Sequence, residues 1–372
     1  MRVVQINKLY FPVLGGVETH VKDVAEALSQ DSLYNVSVLC CNESKEDIEE
    51  VINGVPVIKA ATMRHAFSMP ISWSFIKKMR TLSADLLHFH LPNPLSVVAY
   101  LLTRPQGKVV VTWHSDITRQ KLSLLFYRPF LRAFLKKADC IITTSQNLAE
   151  KSSFLPAYSN KVHSVPLGLK VDAYKQTQSI QTLKKKIQEK HGPFVLFVGR
   201  FVYYKGVMTL LAALNNTPIK VVCIGTGPLK DKMNTYIVEH NLQDNLDILG
   251  PQDHETLQAY FAACQYFVLP STHKSEAFGI VQLEAMIQEK AVISTQLPTG
   301  VPYVNQHNQT GLIVEPGNTQ DLRAALLTLW EDSKKCEVFG KAAKARVLSH
   351  FQQETMIARI QSIYHTVLKA ES

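Results

Sequence analysis

Paired cysteines are missing from this chain. No Cys-x-x-Cys and no cysteine–histidine grouping at metal-ligand spacing occurs, and Cys40, Cys41, Cys140, Cys223, Cys264 and Cys336 are scattered through apolar segments. That pattern fits buried reduced thiols and excludes a zinc-ribbon or disulfide-scaffold class. Long hydrophobic runs are also missing: stretches such as Leu95 to Leu102 fall well short of the roughly 20 residues that span a bilayer. Met1-Arg2-Val3-Val4-Gln5-Ile6 leads straight into a polar loop, without the pattern of a secretory leader. The expectation is a cytoplasmic protein. There is no Asp-x-Asp, so no metal-dependent diphosphate site and no metal or other cofactor is expected. No Walker-type loop is present. Gly225-Thr226-Gly227-Pro228-Leu229-Lys230 lacks the third glycine of the dinucleotide fingerprint and carries Pro228 in the turn, which disfavours a nicotinamide dehydrogenase.

What is present is a chain with 46% hydrophobic and 19% charged residues, ample for two or three cores in 372 residues. The net charge of +9 is uneven, with +7 in residues 1–175 and +2 in the rest. Such an excess suits an anionic partner. No recognised module or continuous basic tract points to nucleic acid, and an anionic membrane surface fits at least as well.

Apolar strand-like runs alternate with helical periodicity twice. The first series has strands at 2–9, 36–41, 86–91, 109–114, 140–144 and 162–165, an Asn53-Gly54 hairpin signal, and helices near 17–29, 71–82, 94–103, 120–137 and 146–154. Residues 170–191 read as a linker plus one surface helix. The second series runs from Phe194, with strands near 194–200, 219–225, 245–250, 265–270, 291–295 and 311–315, and the tail from Lys334 to Ala370 reads as wholly helical. Strands alternating with helices predict doubly wound α/β domains with parallel sheets, whose ligand groups sit in loops at the carboxyl ends of the strands.

Several residues fall on such loops. Gly15-Gly16 follows the first strand, where glycine lets backbone approach a ligand, although a plain turn reads the same. His114 ends the strand at 109–114 and reads equally as a structural histidine. Arg200 follows the strand beginning at Phe194, and Lys205-Gly206 starts the next helix; two fixed cations could neutralise a diphosphate. Ser275-Glu276-Ala277-Phe278-Gly279-Ile280-Val281-Gln282-Leu283-Glu284-Ala285 places one carboxylate on a strand-to-helix loop, a glycine at the helix start, and a second carboxylate about two turns in. Unpaired N–H groups at a helix start favour anions. An ordinary turn with two solvated glutamates is the alternative.

Gly15-Gly16, His114, Gly199-Arg200 with Lys205-Gly206, and Glu276-x-Phe278-Gly279 ending in Glu284 resemble, in order and over nearly the whole chain, the family 4 glycosyltransferases. The resemblance implies a retaining, metal-independent enzyme of the GT-B fold, with two Rossmann-like domains facing across a cleft. The expected division is residues 1–170 for the acceptor, 171–350 for the nucleotide-sugar donor, and 351–372 as a helix returning to the first domain. It implies that Arg200 and Lys205 hold the donor diphosphate and Glu284 the ribose. Glu276 with Phe278, Gly279 and Ile280 contacts the transferred sugar, His114 faces the reacting centre, and Gly15 and Gly16 approach the donor phosphate. His90-Leu91-Pro92-Asn93-Pro94 and Thr299-Gly300-Val301-Pro302-Tyr303-Val304 are similar to members that use GDP-mannose or another GDP-hexose on lipid-linked or polysaccharide glycans.

Residues 64–80 hold Arg64, Lys77, Lys78 and Arg80, no acid, and Phe67, Met69, Trp73, Phe75, Ile76 and Met79; 119–137 repeat the theme with Arg119, Lys121, Arg128, Arg132, Lys136, Lys137, Phe126, Tyr127, Phe130 and Phe134. Such helices either lie in a membrane interface or turn their aromatics into a core. The membrane reading places the first domain on the inner face of the plasma membrane. A nucleotide-sugar epimerase of related architecture and a non-catalytic nucleotide-sugar-binding protein are the competing functions.

Overall fold

The structure, a computed structural model, describes residues 1–369 apart from 14, 67, 68 and 118–120, with backbone alone at 65, 66, 69 and 121–123. Phe67 and Arg119 of the basic aromatic segments, and the side chains of Met69 and Lys121, therefore lie outside the described residues. The chain divides into two compact units, Met1–Pro166 with Met356–Ser372, and Leu167–Thr355.

The first unit contains, in order, β1 (Arg2–Ile6), α1 (Gly16–Ser29), β2 (Asn35–Cys41), β3 (Ile48–Ile52), β4 (Val55–Ala60), β5 (Arg64–Ala66), β6 (Met69–Ile71), α2 (Trp73–Arg80), β7 (Ser83–Leu91), α3 (Pro94–Thr103), β8 (Gln106–Trp113), α4 (Lys121–Lys137), β9 (Cys140–Thr143), α5 (Gln146–Lys151) and β10 (Val162–Ser164). Eight strands form one sheet in the order β10-β9-β8-β7-β1-β2-β4-β3. Every pairing in it is parallel except the β3–β4 hairpin, whose Asn53 and Gly54 adopt φ of 49° and 85°. Strand order reverses between β1 and β7, so the loops after these two strands flank the switch point.

Side chains alternate along each strand, so every strand feeds two cores. Val4, Ile6, Leu87, Phe89, Val111 and Trp113 pack with α2, α3 and α4. Val3, Leu86 and Val110 face the other way, under α1 and the last helix of the chain. On that second face the same alternation turns Gln5, His88, His90 and Thr112 inward, each at most 1% exposed. Parallel register sets Gln5 beside His88 and His90 beside Thr112.

The second unit runs α6 (Gln178–His191), β11 (Val195–Val198), α7 (Val207–Leu214), β12 (Val221–Ile224), α8 (Lys230–Glu239), β13 (Leu246–Leu249), α9 (His254–Ala263), β14 (Tyr266–Val268), α10 (Val281–Ile287), β15 (Ala291–Thr295), α11 (Val301–Val304), β16 (Gly311–Val314), α12 (Thr319–Glu331), α13 (Ser333–His350) and the start of α14 (Gln353–Lys369). Its six strands are all parallel, in the order β13-β12-β11-β14-β15-β16, with a core on each face. The switch point lies between β11 and β14.

One sequence expectation holds here and one needs correction. The surface helix expected within 170–191 is α6, which packs on α9 and buries Ile180, Ile187 and His191; Ile180, Leu183 and Ile187 recur at helical spacing within an otherwise Lys-rich segment. The tail is not one helix. It breaks after His350, where Leu169 crosses it: the Leu169 N–H donates to the Phe351 carbonyl at 2.7 Å, and the Gln353 N–H donates to the Leu169 carbonyl at 3.0 Å. Beyond the break, α14 buries Met356, Ile357, Ile360, Tyr364 and Val367 in the first unit's core.

Candidate functional site

The loops after β11 and β14 meet at the switch point of the second sheet. A backbone bond from Thr272 N–H to the Tyr204 carbonyl, 2.8 Å, holds them together. Lys205 is thereby carried to Glu276: Nζ lies 2.6 Å from Oε2, and both side chains are largely buried. Ser271 Oγ donates to the same carboxylate oxygen at 3.0 Å. A salt bridge this far from water is sensitive to loss of either member, because the survivor is left as an unpaired buried charge. Gly206 secures the arrangement. Its φ is +70°, and a Cβ there would lie 1.9 Å from the Pro270 carbonyl oxygen, so only glycine lets the Lys205 loop approach β14 this closely. Arg200, on the same loop, is exposed, and its guanidinium makes no hydrogen bond or ion pair among the described residues.

The stretch after Glu276 differs from the sequence expectation in one respect. Gly279 has φ +69°, in the left-handed region, so the helix cannot begin there and α10 starts at Val281. Glu284 consequently sits in the first turn of α10, and not two turns in. It is half-buried and accepts a hydrogen bond from the Tyr174 hydroxyl at 2.8 Å. Burial pushes its carboxyl pKa up, partly offset by that hydrogen bond. Phe278 turns its ring into the core, edge-on to Phe351, and its carbonyl accepts from Gln282 Nε2 at 3.2 Å. Ile280 is partly buried against the same core.

Tyr203 and His273 escaped the sequence reading, and Ser275 stood in the quoted stretch without a role. His273 Nδ1 lies 3.0 Å from Ser275 Oγ, and the Tyr203 and His273 rings are 5.8 Å apart. They border the loop that carries Glu276, and nothing in their spacing announced it.

In the first unit, Gly15 is the N-cap of α1 and Gly16 its first residue, with open space where a Gly16 Cβ would stand. His114 lies past the end of β8, tied by its N–H to the Leu91 carbonyl at 2.9 Å. The loop beyond is pinned by Asp116, which accepts from Trp113 Nε1, Ser152 Oγ and the Ser153 N–H at 3.1, 2.6 and 2.8 Å. Among the described residues of the first unit, His114 is one of four buried histidines, with His20, His88 and His90. His90 Nδ1 lies 3.0 Å from His114 Nε2, and the rings stack at 5.3 Å. The His20 ring stands edge-on to both, its Nε2 buried and without a partner among the described residues. One ring nitrogen from each of His20, His90 and His114 falls within 4.8 Å of the other two, the single such grouping among the described residues. His90 uses its other nitrogen on Gln5, 2.8 Å from Oε1. Desolvation lowers the pKa of His20 to about 4 and of His88 to about 3, and holds His90 and His114 well below the ordinary value. All four are neutral imidazoles at pH 7. The sequence signal was available: polar residues at period two inside otherwise apolar strands, Gln5, His88 with His90, and Thr112 with His114.

The structure thus joins Lys205 to Glu276, with Arg200, Phe278, Gly279, Ile280 and Glu284 on the same loops or their adjoining helix. Gly15, Gly16 and His114 belong to the other unit.

The chain is similar to known proteins. The pattern of the family described as Glycosyltransferase Family 4 matches residues 14–173, and that described as Glycosyl transferases group 1 matches residues 179–346. D-rhamnosyltransferase WbpZ of Pseudomonas aeruginosa is 34% identical over 352 residues, 93% of this chain and 91% of its own. O-antigen chain mannosyltransferase C of Escherichia coli is 29% identical over 376 residues, covering both chains in full. Among solved structures, sucrose-phosphate synthase of Thermosynechococcus elongatus superposes with a TM-score of 0.83 over 99% of each chain, at 22% identity.

Proposed function

This chain belongs to the family 4 glycosyltransferases, of GT-B fold, and from that premise we propose that it is a retaining enzyme that moves mannose from GDP-mannose onto a lipid-linked or polysaccharide glycan. The observation that carries the reading is the buried Lys205–Glu276 pair at the switch point of the second sheet. A cation and a carboxylate fixed side by side there suit a sugar diphosphate, the one facing the phosphates and the other the sugar hydroxyls. The choice of mannose leans on the Escherichia coli relative, which aligns from end to end.

In the proposed reaction the bond between the anomeric carbon and the diphosphate oxygen breaks as an acceptor hydroxyl attacks from the same face. The acceptor proton passes to the departing phosphate, so no enzymic nucleophile is required. Arg200 and Lys205 stabilise charge growing on the leaving diphosphate, without a metal ion. Glu276 and the Phe278–Ile280 backbone hold the sugar. Glu284, with one oxygen engaged by Tyr174, keeps the other for the ribose. Gly15 and Gly16 contact the donor phosphate, and His114 stands at the reacting centre. Positioning and preorganised charge supply the rate enhancement.

For the acceptor side we propose an anionic membrane surface. The helices α2, α3 and α4 cover one face of the first sheet, and they leave Trp73, Leu102, Leu125, Phe126 and Phe130 at least half exposed. Lys77, Arg80, Arg132, Lys136 and Lys137 are exposed on α2 and α4. Phe75, Met79 and Phe134 are core residues, and Lys78 is paired with Glu49 and Asp47 of the β3 region. Only part of each basic aromatic segment is therefore available to lipid.

Radiolabelled GDP-mannose and a membrane lipid extract test the function. Label entering the lipid fraction supports transfer, an epimerised nucleotide sugar would make the protein an epimerase, and neither outcome would leave a nucleotide-sugar-binding protein.

A further inference from the structure

The first unit carries a chain of buried hydrogen bonds that ends on His114 and whose other members the proposed reaction does not use. It begins on α14, where the Tyr364 ring is fully buried. Gln5 Nε2 donates to the Tyr364 hydroxyl at 3.0 Å. That hydroxyl lies 2.6 Å from His88 Nδ1, and His88 Nε2 lies 2.7 Å from Thr112 Oγ1. In the other direction Gln5 Oε1 meets His90 Nε2 at 2.8 Å, and His90 Nδ1 meets His114 Nε2 at 3.0 Å.

An amide has a fixed polarity: nitrogen donates and oxygen accepts. With Gln5 Nε2 spent on Tyr364, its oxygen requires a proton on His90 Nε2. His90 is neutral, so Nδ1 is bare and accepts from His114 Nε2. His114 then carries its proton on Nε2, and Nδ1 holds the lone pair. With the Gln5 amide in this orientation, each link follows from the one before it. The tautomer of His114 is thus set from α14 across three hydrogen bonds, through Gln5 of β1 and His90 of β7.

We propose that Tyr364 and Gln5 are positioning residues that act through His90 to hold His114 as the Nε2–H tautomer, so that it meets a sugar hydroxyl as a hydrogen-bond acceptor through Nδ1. The inference rests on the reading of His114 as a residue at the reacting centre. A hydroxyl that must donate to Nδ1 is oriented by it, and a wrong tautomer would present N–H to that hydroxyl instead.

Long-range proton–nitrogen NMR of the full-length, ligand-free protein labelled in histidine nitrogen reads the tautomers directly, with a His114→Asn variant assigning the signals. The wild type is expected to show His114 protonated on Nε2. Tyr364→Phe frees the Gln5 amide to turn, and Gln5→Met removes the fixed polarity; each is expected to give mixed tautomers at His90 and His114. Transfer from GDP-mannose to the lipid extract is expected to lose about tenfold in kcat in both variants, with KM within about twofold. A His114 protonated on Nδ1 in the wild type, or one unchanged in both variants, overturns the inference whatever the activity. Mixed tautomers with unchanged transfer uphold the positioning chain and remove His114 from the reacting centre.

Discussion

At the scale of single residues, Lys205 and Glu276 each answer for the other. Lys205→Ala leaves a buried carboxylate with Ser271 as its remaining partner. It is expected to cost about 3 kcal/mol in stability, while Glu276→Gln, which keeps a polar group of the same shape, costs less. Both are expected to slow transfer at least about tenfold, since hydrogen bonds to charged groups contribute roughly 1.5–3 kcal/mol. Denaturant midpoints and initial rates check the pair; near-normal rates in both variants would move the donor site elsewhere. Gly206→Ala is a sharper structural probe. The added methyl would stand 1.9 Å from the Pro270 oxygen in left-handed backbone, so the Lys205 loop must shift. A loss of about 1–3 kcal/mol in the urea midpoint is expected, together with weaker donor binding in calorimetry.

At the scale of elements, the buried histidines of α1, β7 and β8 tie stability to pH. Their folded pKa values lie below the unfolded value of 6.5, at about 4 for His20 and about 3 for His88. The unfolded chain therefore takes up protons first as pH falls, so the stability these groups supply is complete above about 6.5 and is lost between 6.5 and the folded values. His88, His90, His114 and Tyr364 are the titratable groups packed together on that face, with His20 above them. A lower urea midpoint is expected at pH 5.0 than at pH 7.5, and His20→Leu should reduce the slope by up to about 1.4 kcal/mol per pH unit. A midpoint flat across this range would contradict a neutral cluster.

These elements also mark where sequence was sufficient and where it was not. The strand at 291–295 and the helix at 94–103 stand at the residues their periodicity indicated, because a caps-and-apolar pattern is local information. Lys205 and Glu276 could be set at strand ends for the same reason. Their contact, by contrast, depends on β11 and β14 being neighbours, which no local pattern states. The start of α10 turned on the sign of φ at Gly279, and the break at Phe351 turned on Leu169, nearly two hundred positions away. The acids that pair with Lys78, Glu49 of β3 and Asp47 just before it, lie outside the acid-free segment 64–80.

At the scale of the whole molecule, the uneven charge and the exposed apolar side chains of α2, α3 and α4 bear on where the enzyme works. Flotation with vesicles of anionic lipid at low salt should carry the protein upward, and Phe126→Ser with Phe130→Ser should reduce it severalfold, because the gain is apolar burial added to attraction by the basic residues. Absence of binding at low salt would confine the protein to solution.

The most direct measurement is the fate of the sugar itself. Purified protein is incubated with GDP-mannose labelled at the anomeric carbon and with membrane lipid extract, and the product linkage is read by NMR. A mannosyl glycolipid that keeps the α configuration of the donor, formed by wild type and lost with Lys205→Ala, is the predicted result. An inverted linkage, or label that stays on the nucleotide, would contradict it.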